Sequence, residues 1–294
     1  ISFVSTAYYN PDDWYVIKKM SSTLSLTEDD FSIHILSDNG IYSIEKSTLN
    51  LEYNMDFNHG FTNPKILYYD FFSDFFWLVC KNEIYVRSSV SSNWRTLEYT
   101  DLGLNSGHHV FDIGSSPSYI WLDFGNKLVP FHSYGAKVDN NENIDFGEID
   151  LINWGNYHRG RSGQDLDISE FLILNDWNVG LKKITNSNGE EINPIVSLED
   201  SEGQIWIGSI EGVLLRGWIH SKRLEVLEVG PHSAFLTTYF KDNNGNWWFG
   251  DSPYMRTGNF YNSSSLSNNI FLTHWFENEN EWDYLTISGD FDGL

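Results

Sequence analysis

The stretch Val196-Ser-Leu-Glu-Asp-Ser-Glu-Gly-Gln-Ile-Trp-Ile-Gly208 has the pattern of a β-hairpin. An apolar strand ends at Asp200, a short turn contains Gly203, and a second strand carries Trp206. Aspartate accepts backbone N–H groups in turns, and tryptophan suits a strand that packs against a neighbouring sheet. The pattern therefore predicts two antiparallel strands joined between Asp200 and Gly203.

The hairpin pattern recurs along the chain. A second clear copy ends at Gly250 and has the same Asp-x-x-Gly-x-x-Trp-x-Gly spacing through Asp242, Gly245, Trp248 and Gly250. Weaker copies cover residues 24–41, 68–77, 110–121 and 171–180. The first of these aligns on 196–213 without gaps, the second has one extra residue, the third has a longer turn after Asp112, and the fourth is degenerate.

Equivalent positions on the second strand form a ladder along the chain. Its members are His34, Trp77, Trp121, Leu174, Trp206 and Trp248, which are 43, 44, 53, 32 and 42 residues apart. A period of about 40–45 residues is typical of four-stranded propeller blades. The aromatic composition of 16% also favours pleated, half-buried strands. The sequence therefore predicts an all-β propeller with about six recognisable four-stranded blades.

A polar-Trp-x-x-aliphatic pattern marks the outer strand of a blade at three places, residues 13–17, 93–97 and 281–285. On this register residues 1–294 form one propeller domain, with irregular insertions at 133–167 and 251–269. The last blade already has its own outer strand, whereas the strand around Trp14 lacks inner partners. We therefore expect a chain that is incomplete at its C-terminus and belongs to a seven-bladed ring. The alternative is that residues 1–17 cap the ring.

These Asp-x-x-Gly-x-x-Trp-x-Gly units, followed by Gly-aliphatic at Gly212, resemble the repeats of two-component-regulator propellers. The resemblance is strongest over residues 200–212 and 242–250, moderate over 24–44, 66–86 and 110–128, and absent over roughly 133–170. It implies a periplasmic sensor region or a related secreted bacterial protein, with a role in ligand sensing or protein interaction. The shared residues are structural, so the resemblance implies no catalytic residue.

Charge limits the partners. The chain has 41 acidic and 18 basic residues and a formal net charge of −23, which disfavours nucleic acid and acidic membrane surfaces. No apolar run has the length needed to span a bilayer, so we expect no direct membrane insertion.

The chain has one cysteine, Cys80, which excludes an internal disulfide. Because Cys80 lies in an apolar run, we expect its thiol to be buried.

The insertion at 133–167 carries two candidate sites. Alternating oxygen ligands at its start suit Ca²⁺, although Ile144 stands where an EF-hand requires glycine, and a solvated polar loop is the alternative. These candidate metal ligands are Asp139, Asn141, Asn143, Asp145 and Asp150. No other cofactor is expected.

A basic island in the same insertion is a candidate ligand site. Its members are Trp154, Tyr157, His158, Arg159 and Arg161. Arginines beside aromatic rings can bind a carboxylate, a sulfate or a sugar acid, whereas pairing with Asp165 and Asp167 is the structural alternative.

Two further segments carry candidate site residues. In the second insertion Tyr254 and Arg256 can stack on a sugar, although a plain turn also explains that segment. His108 and His109 are adjacent and face opposite sides of a strand, which favours packing over metal binding.

Three functions remain open. A non-catalytic ligand-binding or sensory propeller for a small molecule or glycan is the leading hypothesis, and a protein-interaction scaffold is the second. A carbohydrate-active enzyme is the third. Glycoside hydrolysis requires a pair of carboxylates, and a chain with 41 acidic residues contains such pairs by chance, so their presence is weak support for an enzyme. The sequence has no Gly-x-Ser-x-Gly or His-Glu-x-x-His motif.

Overall fold

A computed structural model of the chain describes about three fifths of its residues. The described ranges are 20–49, 51–55, 61–91, 93–100, 109–125, 127–132, 146–155, 177–179, 184–185, 191–221, 223–227, 236–251, 269–276 and 281–288. Within these ranges the chain forms β-strands and one 3-10 helix, Phe146–Leu151. None of the helical structure found there is long and apolar enough to cross a membrane.

The strands form six antiparallel sheets, of which five have four strands and one has three. Sheet 1 contains β1 (Thr23–Glu28), β2 (Ser32–Ser37), β3 (Gly40–Glu45) and β4 (Leu51–Met55). Sheet 2 contains β5 (Pro64–Asp70), β6 (Phe75–Cys80), β7 (Glu83–Ser88) and β8 (Arg95–Glu98). Sheet 3 contains β9 (Asp112–Ser115), β10 (Tyr119–Asp123), β11 (Leu128–His132) and β12 (Asn153–Trp154).

The remaining strands follow the same antiparallel scheme. Sheet 4 contains β13 (Asn178–Val179), β14 (Ile184–Thr185) and β15 (Glu191–Ile192). Sheet 5 contains β16 (Pro194–Glu199), β17 (Gln204–Ser209), β18 (Leu214–Trp218) and β19 (Leu224–Leu227). Sheet 6 contains β20 (Leu236–Lys241), β21 (Trp247–Asp251), β22 (Asn269–Phe276) and β23 (Glu281–Ser288). Repeated four-stranded antiparallel sheets fit a propeller-like fold, and the number of blades stays a prediction.

The chain divides into two compact units. The first, Met20–Val229, holds sheets 1 to 5, and the second holds sheet 6. In the first unit β1 contacts both β5 and β16, so sheet 1 lies between sheets 2 and 5. Shared apolar clusters also join sheet 2 to sheet 3 and sheet 5 to residues of sheet 4. Chain order alone does not predict that sheet 5 packs directly on sheet 1.

Two glycines of the repeat allow this close packing. A Cβ atom on Gly208 would lie 2.4 Å from Cγ2 of Thr23. A Cβ atom on Gly212, which has φ +76°, would lie 2.1 Å from the carbonyl oxygen of Met20. Because such distances are shorter than any real Cβ contact, only glycine permits sheet 5 to approach residues 20–23 in this way.

The aspartate of the repeat binds both the turn and the tryptophan. Asp200 Oδ1 accepts the backbone N–H groups of Glu202 and Gln204, at 3.0 and 2.8 Å, and its Oδ2 accepts the indole N–H of Trp206 at 2.8 Å. Asp242 makes the corresponding contacts in sheet 6, with the indole N–H of Trp248 at 3.3 Å. Both tryptophans lie on the second strand of their sheets, as do Trp77 and Trp121.

In sheet 1 a histidine replaces the tryptophan and keeps its hydrogen bond. His34 Nε2 lies 2.8 Å from Asp29 Oδ2, and Asp29 Oδ1 accepts the N–H groups of Phe31 and Ser32. The gapless alignment correctly places His34 opposite Trp206, but it places Glu28 opposite Asp200, where the structure has Asp29. His34 pairs with Thr27, whereas Trp206 pairs with Leu198, because the turn of sheet 1 is one residue shorter.

In sheet 2 the turn has the predicted extra residue. Asp70 accepts the N–H of Phe72 and the hydroxyl of Ser73. The indole N–H of Trp77 is buried and has no hydrogen-bond partner among the described residues. The longer turn therefore separates the aspartate from the ring that it binds in sheets 1, 5 and 6.

Sheet 3 departs from the predicted meander. The expected turn aspartate, Asp112, instead pairs with Asp123 at the opposite end of the hairpin. Ser116 takes its place, because Ser116 Oγ accepts the indole N–H of Trp121 at 2.9 Å and donates to Glu148 Oε2 at 2.6 Å. The 3-10 helix that carries Glu148 thus supplies the carboxylate. This contact, together with the N–H of Ser118, lowers the pKa of Glu148 although burial alone would raise it.

The fourth strand of sheet 3 also differs from the prediction. A fourth strand in the predicted order would pair with β11, but β12 pairs with β9 at the opposite edge. Gly114 permits this, since a Cβ atom there would lie 2.9 Å from both the carbonyl oxygen of Asn153 and the ring of Trp154. The 133–167 insertion therefore returns the chain to the edge next to β9.

Other predictions divide between the described and undescribed residues. The outer-strand pattern at 93–97 and 281–285 falls on β8 and β23, the fourth strands of sheets 2 and 6. The segment 13–17 and Leu174 lie outside the described residues. Cys80 is buried, and burial together with the charge of Glu83 raises the pKa of its thiol to about 12.

Candidate functional site

The first turns of sheets 1 and 2 lie side by side. Ser25 Oγ accepts the backbone N–H of Leu67 at 2.8 Å, and Thr27 Oγ1 accepts that of Tyr69 at 3.0 Å. The two contacts advance together along β1 and β5, so these strands run in the same direction. Each strand then enters the turn that joins it to the second strand of its sheet, which brings the two turns together.

These adjacent turns expose three phenylalanines. Phe31 is 75% exposed, Phe71 is 62% exposed and Phe72 is 43% exposed. Single exposed apolar residues are ordinary, but three large rings on neighbouring turns form a patch of the kind that marks interaction sites. We call this patch, together with Tyr69, Asp30 and Asp74, the aromatic turn surface.

The aromatic turn surface is electronegative. The hydroxyl of Tyr69 donates a hydrogen bond to Asp74 Oδ1 at 2.6 Å. Burial, this hydrogen bond and the negative charges of Asp74, Asp29 and Asp30 all raise the pKa of Tyr69. Asp30 and Asp74 are exposed. The surface therefore combines apolar rings with two accessible carboxylates.

A packed layer of rings lies beneath this surface. The ring of Phe76 lies 5.0 Å from that of Tyr69 and 4.7 Å from that of His34, measured between centroids. The guanidinium of Arg87 stacks 4.9 Å from the centroid of Phe76 and 5.0 Å from that of Trp94. Burial lowers the pKa of Arg87. These contacts hold the supporting side chains in place before any partner binds.

The chemistry of the aromatic turn surface suits a cation with an apolar body. Aromatic faces and carboxylates both attract ammonium and guanidinium groups, and the exposed rings offer apolar contact to the carbon chain. An anion would meet Asp30 and Asp74. Lysine or arginine side chains of a peptide, or an organic ammonium ion, have the matching properties.

Sequence analysis did not identify this surface, although a signal was present. Phe31 lies in the turn of sheet 1 that corresponds to the turn of Gly203 in sheet 5, and Phe71 and Phe72 lie in the corresponding turn of sheet 2. Turns favour glycine, proline, asparagine, aspartate and serine, so large aromatic residues at these positions are unusual. That contrast points to contact with a partner.

The residues predicted to bind a ligand divide between the described and undescribed parts of the chain. Trp154 is half-buried in β12, beside Gly114. Its strand is held by Tyr68, whose hydroxyl donates to the carbonyl oxygen of Asn153 at 2.8 Å. The other candidates lie outside the described residues: Tyr157, His158, Arg159, Arg161, Tyr254 and Arg256.

The predicted Ca²⁺ ligands are mostly undescribed as well. Asp150 is exposed on the 3-10 helix. Asp139, Asn141, Asn143 and Asp145 lie outside the described residues. Among the residues that are described, no three His, Cys, Asp or Glu side chains are grouped as metal ligands. The Ca²⁺ site therefore stays a prediction.

His109, the described member of the histidine pair, contacts a lysine. Its Nδ1 lies 3.0 Å from Nζ of Lys65, and its side chain is exposed. Partial burial and the positive charge of Lys65 lower the pKa of His109. The neighbouring ammonium group disfavours a metal ion at this nitrogen.

No family model matches the chain, and no curated protein matches it. Among solved structures, the chain is similar to the extracellular domain of BT4673 from B. thetaiotaomicron, described as a hybrid two-component system, with 16% identity and a TM-score of 0.32. The match covers 92% of this chain and 28% of that domain, so the chain spans less than a third of its length.

Two other solved structures show similar scores. Catalytically inactive virginiamycin B lyase from Staphylococcus aureus with quinupristin is 14% identical, with 92% of this chain and 86% of that chain covered and a TM-score of 0.30. Kluyveromyces lactis Hsv2 is 8% identical, with 91% and 98% covered and a TM-score of 0.31. At these values the similarities assign no function to this chain.

Proposed function

We propose that this chain is a non-catalytic binding protein and that the aromatic turn surface is its recognition surface. The observation that carries the proposal is the exposure of Phe31, Phe71 and Phe72 on two adjacent turns. Keeping three such rings in water costs solubility, which a partner that covers them would offset. The partner's chemistry follows from the nearby carboxylates: it is cationic and partly apolar.

The hypothesis of a sensory role is based on the repeat pattern of the sequence. The Asp-x-x-Gly-x-x-Trp-x-Gly units resemble two-component-regulator propellers, which are periplasmic sensor regions or secreted proteins of bacteria. On this proposal the chain lies in the periplasm or outside the cell and reports or retains a bound ligand. The alternative, a protein-interaction scaffold, differs in the class of partner. A scaffold would bind a folded protein through a broad apolar face, whereas a sensor would bind a peptide or a small cation.

The enzyme alternative requires two carboxylates that a substrate can reach. Asp112 and Asp123 lie opposite each other on β9 and β10, where Cβ atoms are about 4.5–5.5 Å apart. They are only 2% and 3% exposed, and each accepts a backbone N–H, from Ile113 and Gly125 respectively. This pair therefore serves the fold and is closed to a glycoside.

Binding of a defined peptide tests the proposed function. The probe is a fluorescent, end-blocked Arg-Leu-Arg-Leu peptide, compared with the Glu-Leu-Glu-Leu peptide, and the measurement is fluorescence anisotropy. A variant with Phe31→Ser, Phe71→Ser and Phe72→Ser should bind the basic peptide at least about tenfold more weakly, the loss of roughly 1.4 kcal/mol. The acidic peptide should not bind.

The matched control is Ile210→Ser. Ile210 is 52% exposed and lies between β17 and β18, away from the first turns, so this variant removes one exposed apolar side chain elsewhere. It should bind the basic peptide as the unaltered protein does. Equal binding by the triple variant, or no saturable binding by the unaltered protein, would show that the surface does not recognise such partners.

A further inference from the structure

An open groove lies along the outer half of sheet 5, at the turn between β18 and β19. It has a volume of about 550 Å³ and is lined by Trp218, Ser221, Arg223, Leu224 and Glu225. Pockets that hold small molecules are typically about 300–1,000 Å³ and combine apolar walls with a few polar groups. Trp218 and Leu224 supply the apolar wall, and Arg223 and Ser221 supply polar groups.

The indole of Trp218 is held in place from within the sheet. The guanidinium of Arg216 lies 4.4 Å from the centroid of Trp218 and 5.8 Å from that of Trp206. Arg216 is opposite Trp206 on one side and Glu225 on the other, and its Nε lies 3.3 Å from Glu225 Oε1. A cation–π contact and an ion pair thus fix a half-buried ring at the groove.

The charge of the groove is opposite to that of the chain. Arg216 and Arg223 lie at or beside the groove, and they are two of the 18 basic residues in a chain of net charge −23. Glu225 neutralises Arg216 through their ion pair. Arg223 is exposed and lines the groove, so it gives the groove a positive charge.

We infer that this groove binds a small carboxylate with a flat apolar body, such as an aromatic carboxylate. The ligand ring lies against Trp218 and Leu224, and its carboxylate accepts two N–H groups from the planar guanidinium of Arg223. The hydroxyl of Ser221 offers a further donor. The inference is independent of the proposed function, because the groove and the aromatic turn surface lie on different sheets and prefer ligands of opposite charge.

Titration calorimetry with 2-naphthoate tests this inference on the full chain. The neutral amide, 2-naphthamide, has nearly the same shape without the charge and should bind at least tenfold more weakly. Arg223→Gln should raise the Kd for 2-naphthoate at least tenfold, and Trp218→Leu should raise it by a similar factor. Arg95→Gln removes an exposed arginine from β8 and should leave the Kd unchanged.

Three results would overturn the inference. They are equal affinities for the acid and the amide, an unchanged Kd in Arg223→Gln, and no saturable binding of 2-naphthoate by the unaltered protein. The variant Phe31→Ser, Phe71→Ser, Phe72→Ser should bind 2-naphthoate normally. Loss of peptide binding in that variant and loss of naphthoate binding in Arg223→Gln are therefore separable results.

Discussion

At the scale of single residues, a turn acceptor and a ring N–H on the second strand act together. Asp200 binds Trp206, Asp242 binds Trp248, and Asp29 binds His34. The sequence pattern predicts the turn and places each ring on the second strand. It does not predict the bond between them, since spacing along the chain does not report side-chain geometry. His34 shows what this position requires, which is a ring nitrogen that reaches the turn aspartate.

Replacing Trp206 measures this bond. Trp206→Phe keeps a ring but leaves Asp200 without its indole donor, and a hydrogen bond to a charged group contributes about 1.5–3 kcal/mol. Trp77→Phe is the matched control, because the indole N–H of Trp77 has no partner among the described residues. Urea unfolding should show the larger loss for Trp206→Phe. Equal losses would mean that the bond contributes nothing to stability.

The acid dependence of stability tests the turn of sheet 1. Burial raises the pKa of Asp29, but the hydrogen bond and charge of His34 and the N–H groups of Phe31 and Ser32 outweigh burial and lower it. A lowered carboxyl pKa stabilises the fold above the unfolded pKa of about 4 and loses this effect as the pH falls through the folded pKa. The difference in free energy of unfolding between the unaltered protein and Asp29→Asn should therefore be larger at pH 6 than at pH 3. A difference independent of pH would contradict the role of the charge.

At the scale of elements, glycines of the repeat separate into two roles that the sequence does not distinguish. Gly203 and Gly212 both have positive φ, of 77° and 76°. A Cβ atom on Gly203 would meet nothing within 4 Å, whereas one on Gly212 would meet the Met20 carbonyl oxygen at 2.1 Å. The turn requires the first glycine for its backbone angle alone. The second is also required for the contact between sheets 5 and 1.

Alanine at each glycine separates these roles. Gly203→Ala should cost about 1–2 kcal/mol, the strain of a side chain in the left-handed region. Gly212→Ala should cost about 1–3 kcal/mol more, because the backbone of Met20 must move away. Urea unfolding of the two variants gives the comparison. Equal costs would show that sheet 5 and residues 20–23 separate easily.

Element boundaries follow the sequence where the repeat is regular and depart from it where chain is inserted. β17 and β21 lie where Trp206 and Trp248 predict them. In sheet 3, by contrast, Ser116 and Glu148 replace the single aspartate, and β12 joins the edge next to β9. Partners that come from more than 30 residues away leave no local pattern, so no spacing rule could have found them.

At the scale of the molecule, sheet 1 has neighbours on both sides within one unit. Leu67 and Tyr69 of sheet 2 donate backbone N–H groups to Ser25 and Thr27 on one side. On the other side, Glu28 accepts the backbone N–H of Ser201 at 3.0 Å, and Lys46 Nζ donates to Ser201 Oγ at 3.4 Å. The contacts with Ser201 join residues more than 150 positions apart, which the repeat period alone does not predict. The period predicts the sheets, and side-chain complementarity determines which of them meet.

This packing predicts that residues 20–229 fold alone. That range contains a complete apolar cluster between sheets 1 and 5. The cluster includes Met20, Leu26 and Tyr42 on one side and Trp206 and Leu214 of sheet 5 on the other. Expressed by itself, this segment should keep a near-ultraviolet circular dichroism signal and unfold cooperatively in urea. Residues 20–190, which lack sheet 5, expose one side of that cluster and should lose both properties. A folded 20–190 fragment would show that sheet 1 does not depend on sheet 5, and an unfolded 20–229 fragment would show that the unit needs further chain.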